Sequence, residues 1–96
     1  MFRAYFTDAG SKTIATLKPN RVLRISKIIV VNDNTVPATV ELMDVRRYAD
    51  NTSGSVVLFS VRVDASSEKS YDDLTVDVLD TLVVSSDTGN VTVYIE

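Results

Sequence analysis

Arg21-Val22-Leu23-Arg24-Ile25-Ser26-Lys27-Ile28-Ile29-Val30-Val31-Asn32 carries the strongest strand pattern in the chain. In its first half Leu23 and Ile25 alternate with Arg24 and Ser26, the period of two that sends successive side chains to opposite faces of a strand. The second half, Ile28-Ile29-Val30-Val31, loses the alternation, so it is expected to be buried on both faces or bent by a bulge. Asn32-Asp33-Asn34-Thr35 then reads as a turn, because Asn and Asp side chains satisfy local backbone groups and tolerate positive φ.

The same period extends outward in both directions. Upstream, residues 2–6 form a short opening strand and 13–17 a second, stopped at Pro19, which lacks a ladder donor. Downstream, residues 38–47 place Val40 and Leu42 inward, and 55–63 place Val57, Phe59, Val61 and Val63 in one phase with Arg62 outside. Residues 65–70 are polar and read as a loop. Leu74, Val76 and Val78 alternate with Thr75 and Asp77, Leu82 and Val84 mark a strand over 81–85, and Val91, Val93 and Ile95 close the chain. The turns read as Asp8-Ala9-Gly10-Ser11, Asn51-Thr52-Ser53-Gly54 and Asp87-Thr88-Gly89-Asn90, so each glycine falls in a predicted turn. Nothing shows helical periodicity. Seven or eight short strands at this spacing predict a single all-β domain over residues 1–96, an antiparallel β-sandwich of jelly-roll or immunoglobulin-like topology.

Composition narrows the function. The 96 residues are 45 % apolar, enough for a core, and contain neither cysteine nor histidine. Thiolate metal sites, cysteine nucleophiles and disulfides are therefore excluded, together with the commonest general base and zinc ligand. The opening residues lack the charged and apolar regions of a secretory leader, so none is expected. No uninterrupted apolar run approaches the roughly 20 residues needed to cross a bilayer, and no membrane partner is expected.

The net charge of −3 argues against a nucleic-acid partner. Its distribution is uneven: residues 1–49 hold eight Lys/Arg and four Asp/Glu, residues 50–96 two and nine. Spatially separate halves would give a molecule with two faces of opposite sign. Interleaved strands, the reading we prefer, would largely cancel the asymmetry.

Candidate chemistry is sparse. Asp72, Asp73, Asp77 and Asp80 cluster in sequence and offer the two carboxyls that glycoside hydrolysis uses, but Asp73 and Asp77 bracket a strand whose alternate residues are apolar, the pattern of a solvated outer face. The oxygens of Asn32-Asp33-Asn34 recommend calcium, yet the spacing does not fit the helix-loop calcium motif and a plain turn accounts for them. No nucleophile elbow and no phosphate loop is present. Arg21, Arg24 and Lys27 recur every third residue, so the pleat divides them between faces, and neither they nor Arg46-Arg47 interleave with aromatics. No cofactor and no catalytic residue is expected, and the chain reads as a non-enzyme.

The aromatic residues are the remaining clue. Phe2, Tyr5 and Phe6 crowd the N-terminus. Phe2 and Phe6 share one strand face while Tyr5 points the other way, so at least one side needs cover. The core is one such cover and a neighbouring subunit the other, which makes Phe2, Tyr5 and Phe6 the candidate subunit-interface residues.

From Thr13 to the C-terminus the chain resembles the small β-sandwich virion proteins of tailed bacteriophages. The residues that carry the likeness are Thr13-Ile14-Ala15-Thr16-Leu17-Lys18-Pro19 followed by Ile28-Ile29-Val30-Val31-Asn32, the strand Ala38-Thr39-Val40-Glu41-Leu42, the step Val76-Asp77-Val78-Leu79-Asp80-Thr81-Leu82-Val83-Val84, and the closing Asn90-Val91-Thr92-Val93-Tyr94-Ile95. Leu79 stands where that family often has glycine. The resemblance implies a structural part of a virion, made in the host cytoplasm: a capsid decoration or cement subunit ahead of a tail component, oligomeric and often trimeric, with the major capsid protein as partner. The reading from another class is a carbohydrate- or receptor-binding module, whose mark would be an exposed aromatic pair on one face drawn from Tyr48, Tyr71 and Tyr94.

Overall fold

Backbone ladders between branched aliphatics organise the chain from end to end. The computed structural model describes all residues, Met1–Glu96, and contains ten strands and no helix. They are β1 (Phe2–Phe6), β2 (Gly10–Thr16), β3 (Leu23–Ile25), β4 (Ile28–Asn32), β5 (Ala38–Arg47), β6 (Ser53–Val63), β7 (Ser67–Tyr71), β8 (Val76–Val78), β9 (Thr81–Ser86) and β10 (Val91–Ile95). A first sheet has the order β1-β10-β4-β7 and a second the order β2-β9-β5-β6, all pairs antiparallel, with β3 and β8 as a separate ribbon.

The count exceeds the seven or eight strands expected, for two physical reasons. The stretch from Arg21 to Asn32 is not one strand: it breaks at Ser26 and Lys27, whose amides both donate to the Glu96 carbonyl at 2.7 and 3.0 Å. The Leu74 amide donates to the Ser26 carbonyl across the break, so the β3–β8 ribbon prolongs the β4–β7 pair. Second, the polar segment expected to be a loop, residues 65–70, supplies all of β7 but Tyr71. Its burial pattern has no apolar alternation to betray it. The ladder to β4, from Ile28↔Tyr71 to Asn32↔Ser67, makes it a strand.

The two sheets enclose one hydrophobic cluster of 16 buried residues, built from alternate positions of the ladders. β5 contributes Ala38, Val40 and Leu42, β9 Leu82 and Val84, and β10 Val91, Val93 and Ile95. Each Val, Leu or Ile among them contributes about 1.5–3 kcal/mol by leaving water. The run Ile28–Val31 keeps the strand period after all: Ile28 and Val30 are fully buried, whereas Ile29 and Val31 are half-buried on the outer face.

β6 departs from the expected phase. Leu42 pairs with Phe59 but Met43 pairs with Val57, which leaves Leu58 as an extra residue. Such a bulge flips every side chain beyond it. Val61 and Val63 point inward as expected, while Val57 is 52 % exposed on the outer face.

The turns also differ in detail. The β5–β6 turn spans residues 48–52 instead of the expected 51–54: the Tyr48 amide donates to the Thr52 carbonyl, and Asn51 takes the positive φ. Gly54 is already in β6, with the Tyr48 ring lying over it, and Gly10 opens β2. Gly89 does sit in its turn, where a Cβ would overlap the Thr7 carbonyl oxygen and lie 2.8 Å from its carbon.

Candidate interaction surface

The outer face of the first sheet gathers the residues of interest in two rows. Following the ladders, Arg3 lies beside Tyr94, Tyr94 beside Ile29 and Ile29 beside Ser70; the next row is Tyr5, Thr92, Val31 and Glu68. Ile29, Val31 and Tyr94 floor a shallow depression of about 490 Å³, closed at its rim by Met1, Lys27, Glu68 and Glu96. An apolar floor with a charged rim is the anatomy of a contact surface.

The three N-terminal aromatics divide between inside and outside. Phe6 is 1 % exposed and belongs to the core, with the Lys12 ammonium 5.7 Å from its ring centre. Phe2 packs against the core from a half-buried position. Tyr5 is 45 % exposed, and its hydroxyl donates to Asn90 Oδ1 at 3.3 Å. Tyr5 is thus the one of the three presented on the outer face.

The tyrosines named for a glycan platform do not come together. Tyr71 is turned toward the second sheet, edge-on to Phe59 with ring centres 5.1 Å apart. Tyr48 lies at the β5–β6 hairpin, half-exposed, and Tyr94 on the outer face of β10. Tyr5 and Tyr94 do occupy diagonal positions on neighbouring strands of one face, a separation within reach of aromatic side chains.

A second outward-facing row crosses the other sheet, where exposed Val57, half-buried Met43 and Val83, and the polar Thr13 lie side by side on β6, β5, β9 and β2. The bulge at Leu58 brings Val57 into that row.

The carboxylate cluster is dispersed by pairing. Asp77 receives Arg24 Nε at 2.8 Å and Nη2 at 3.0 Å, and this bidentate hydrogen bond holds its pKa below the ordinary carboxylate range. Asp72 lies 3.6 Å from Lys27. Asp80 accepts from the Arg47 amide at 2.9 Å, which lowers its pKa, and Asp73 sits in the turn with φ of 56°. A general acid near neutral pH needs the opposite shift. No three acidic side chains converge anywhere. In the Asn32 turn, Asn32 Oδ1 accepts from the Asn34 amide and Asn34 Oδ1 from the Thr35 amide, as a plain turn requires.

Three of the four ion pairs, Arg24–Asp77, Lys27–Asp72 and Arg47–Asp80, join a basic residue of the first half to an acidic residue of the second. Strands of the two halves interleave in both sheets, so the charges meet locally instead of forming opposed faces.

One residue of consequence escaped the sequence reading. Asp44 is fully buried on the inward phase of β5, and its carboxylate accepts from the amides of Leu79, Asp80 and Thr81 at 2.9, 3.1 and 3.1 Å and from Arg46 Nε at 3.1 Å. Burial by itself would raise the pKa; the three amides and the guanidinium outweigh it, and the pKa is lowered. The signal was present in the strand period, since Val40 and Leu42 inward make position 44 inward too. A carboxylate in an apolar phase marks a polar partner elsewhere in the chain.

No family model matches the chain, and no curated protein is significantly similar to it.

Proposed function

We propose that the chain is a non-enzymatic structural protein of a tailed-phage virion, a decoration subunit that binds and stabilises the assembled head. The observation that carries this reading is the order of the strands. Equivalent positions in the two sheets are filled by chain neighbours: β1 and β2, β10 and β9, β4 and β5, β7 and β6. With β3 and β8 counted as extensions of β4 and β7, we infer from this order an eight-strand jelly roll, an architecture that recurs in capsid and lectin domains. The resemblance of residues 13–96 to small virion proteins supports the capsid side of that choice. So do the outward-facing apolar rows, half-buried Ile29 and Tyr94 on one sheet and Val57 with half-buried Met43 and Val83 on the other, which suit a subunit held between neighbours.

Stabilisation would arise by mass action. A protein that binds the assembled shell and not its free subunits shifts the equilibrium toward the shell. Purified protein added to undecorated heads should raise their thermal rupture temperature in a saturable manner. No change in rupture temperature removes the cement reading and leaves the tail component as the structural alternative.

The lectin side of the jelly-roll family keeps one specific observation in its favour, the diagonal pair Tyr5 and Tyr94 on an exposed face. Binding on a glycan array that is lost in Tyr94→Ala would establish that second reading.

A further inference from the structure

Beside the short β3–β8 ribbon, the two four-stranded sheets have four edges: β1 and β7 in the first, β2 and β6 in the second. An open edge presents a row of unpaired N–H and C=O groups, and proteins blunt such edges with bulges and with charges on the inward phase. Three of the four edges carry these devices. β7 places Lys69 opposite Val30, on the inward phase. β2 places Lys12 opposite buried Val84 and has a register shift between Thr13 and Ala15. β6 has the bulge at Leu58.

β1 has neither device. Its register against β10 is unbroken over Phe2 to Phe6, and its inward positions are Phe2, Ala4 and Phe6. None of its backbone groups bonds outside that ladder, so its outer row is free.

The sequence of this edge, Phe2-Arg3-Ala4-Tyr5-Phe6, is also close to a palindrome. Antiparallel pairing with an identical strand about Ala4 sets Phe2 against the partner's Phe6 and Ala4 against the partner's Ala4. It sets Arg3 against the partner's Tyr5 twice, on the outer face, where both side chains are exposed and Arg3 has no ion-pair partner within the chain. A guanidinium over a phenol ring is attractive, so the arrangement adds two favourable side-chain pairs to the new ladder. We propose that the β1 edge is a self-recognition surface, at which a second copy of this chain pairs antiparallel about Ala4 and joins two four-stranded sheets into one of eight. A two-fold contact of this kind replaces the trimer that the resemblance implies. It does not depend on what the protein decorates.

Register-specific cross-linking tests it, because the chain has no cysteine of its own. Arg3→Cys and Tyr5→Cys are prepared separately, mixed and oxidised. Opposed positions come within disulfide reach, whereas two copies of the same variant place their thiols diagonally, beyond it. The expected result is a covalent dimer from the mixture, several-fold more abundant than from either variant alone. Wild-type protein should have twice the chain mass by light scattering, and Arg3→Glu should be monomeric with an unchanged far-ultraviolet β spectrum. A wild-type monomer or trimer overturns the proposal, as does a mixture that cross-links no better than its components. If β1 cysteines cross-link only when heads are present, and then to the shell protein, the edge belongs to that partner and self-pairing is wrong. Head stabilisation is measured separately, so its failure leaves the cross-linking result standing.

Discussion

Asn32 and Asp44 are fully enclosed, and no buried side-chain polar atom in the chain lacks a hydrogen-bond partner. Asn32 Nδ2 donates to the carbonyls of Val36, Val63 and Asp64 at 2.9, 3.2 and 3.1 Å, tying the end of β4 to the end of β6. Asp44 does the same between β5 and the turn that opens β9. Removing it leaves three amides and a guanidinium without their acceptor, so Asp44→Ala should cost about 3 kcal/mol. The sign of the pH effect follows from the lowered pKa. The stability contributed by ionised Asp44 is complete above the unfolded-state value of about 3.9 and is lost as pH falls through the lower folded value. Asp50, Asp77 and Asp80 are lowered as well and act in the same direction. Melting temperature measured from pH 6 to pH 2 should therefore fall less steeply in Asp44→Asn than in wild type, from a lower starting point. Parallel profiles would mean that Asp44 does not carry the charge assigned to it.

At the scale of elements, strand type was legible and strand phase was not always. Val57 and Val61 look equivalent in sequence, both on the period of Phe59 and Val63. The extra residue Leu58 separates them, leaving Val57 52 % and Val61 6 % exposed. Val57→Ser should alter stability by no more than about 0.5 kcal/mol, the usual effect of a surface change. Val61→Ser should cost about 2 kcal/mol, since it removes methyl groups from the core and buries a hydroxyl. Urea midpoints compare the two directly, and equal losses would place the bulge elsewhere. β7 illustrates the opposite failure: Ser67-Glu68-Lys69-Ser70-Tyr71 has no pattern to read, because an edge strand with solvent on most sides needs no apolar phase. Its identity as a strand resides in β4. The candidate surface was legible in part. Tyr5 on the outward phase followed from period two, but its neighbours Tyr94, Ile29 and Val31 are set by the pairing of β1, β10 and β4.

The whole molecule is tied together by contacts between its halves. β10 lies between β1 and β4, and β9 lies between β2 and β5, so the last strands of the chain hold its first ones together. Every strand pair joins a strand of the first half to one of the second, so neither half can assemble a sheet alone. Peptides spanning residues 1–49 and 50–96 should each lack the β signal that the intact chain gives, and the intact chain should unfold in one cooperative step. A half that folds by itself would contradict the interleaved order. Long-range pairing of this kind also predicts folding on the millisecond-to-second scale. Alternation and turn chemistry act over a few neighbouring residues, so the all-β character, most strand positions and the Asp87-Thr88-Gly89-Asn90 turn could be read from the order of residues alone. The sheet order, the break at Ser26-Lys27, the reversal of Val57, the identity of β7 and the enclosure of Asp44 emerge only in the folded chain. Each of these depends on which distant strand supplies the other half of a ladder or the amides around a carboxylate, and no local pattern encodes that partner.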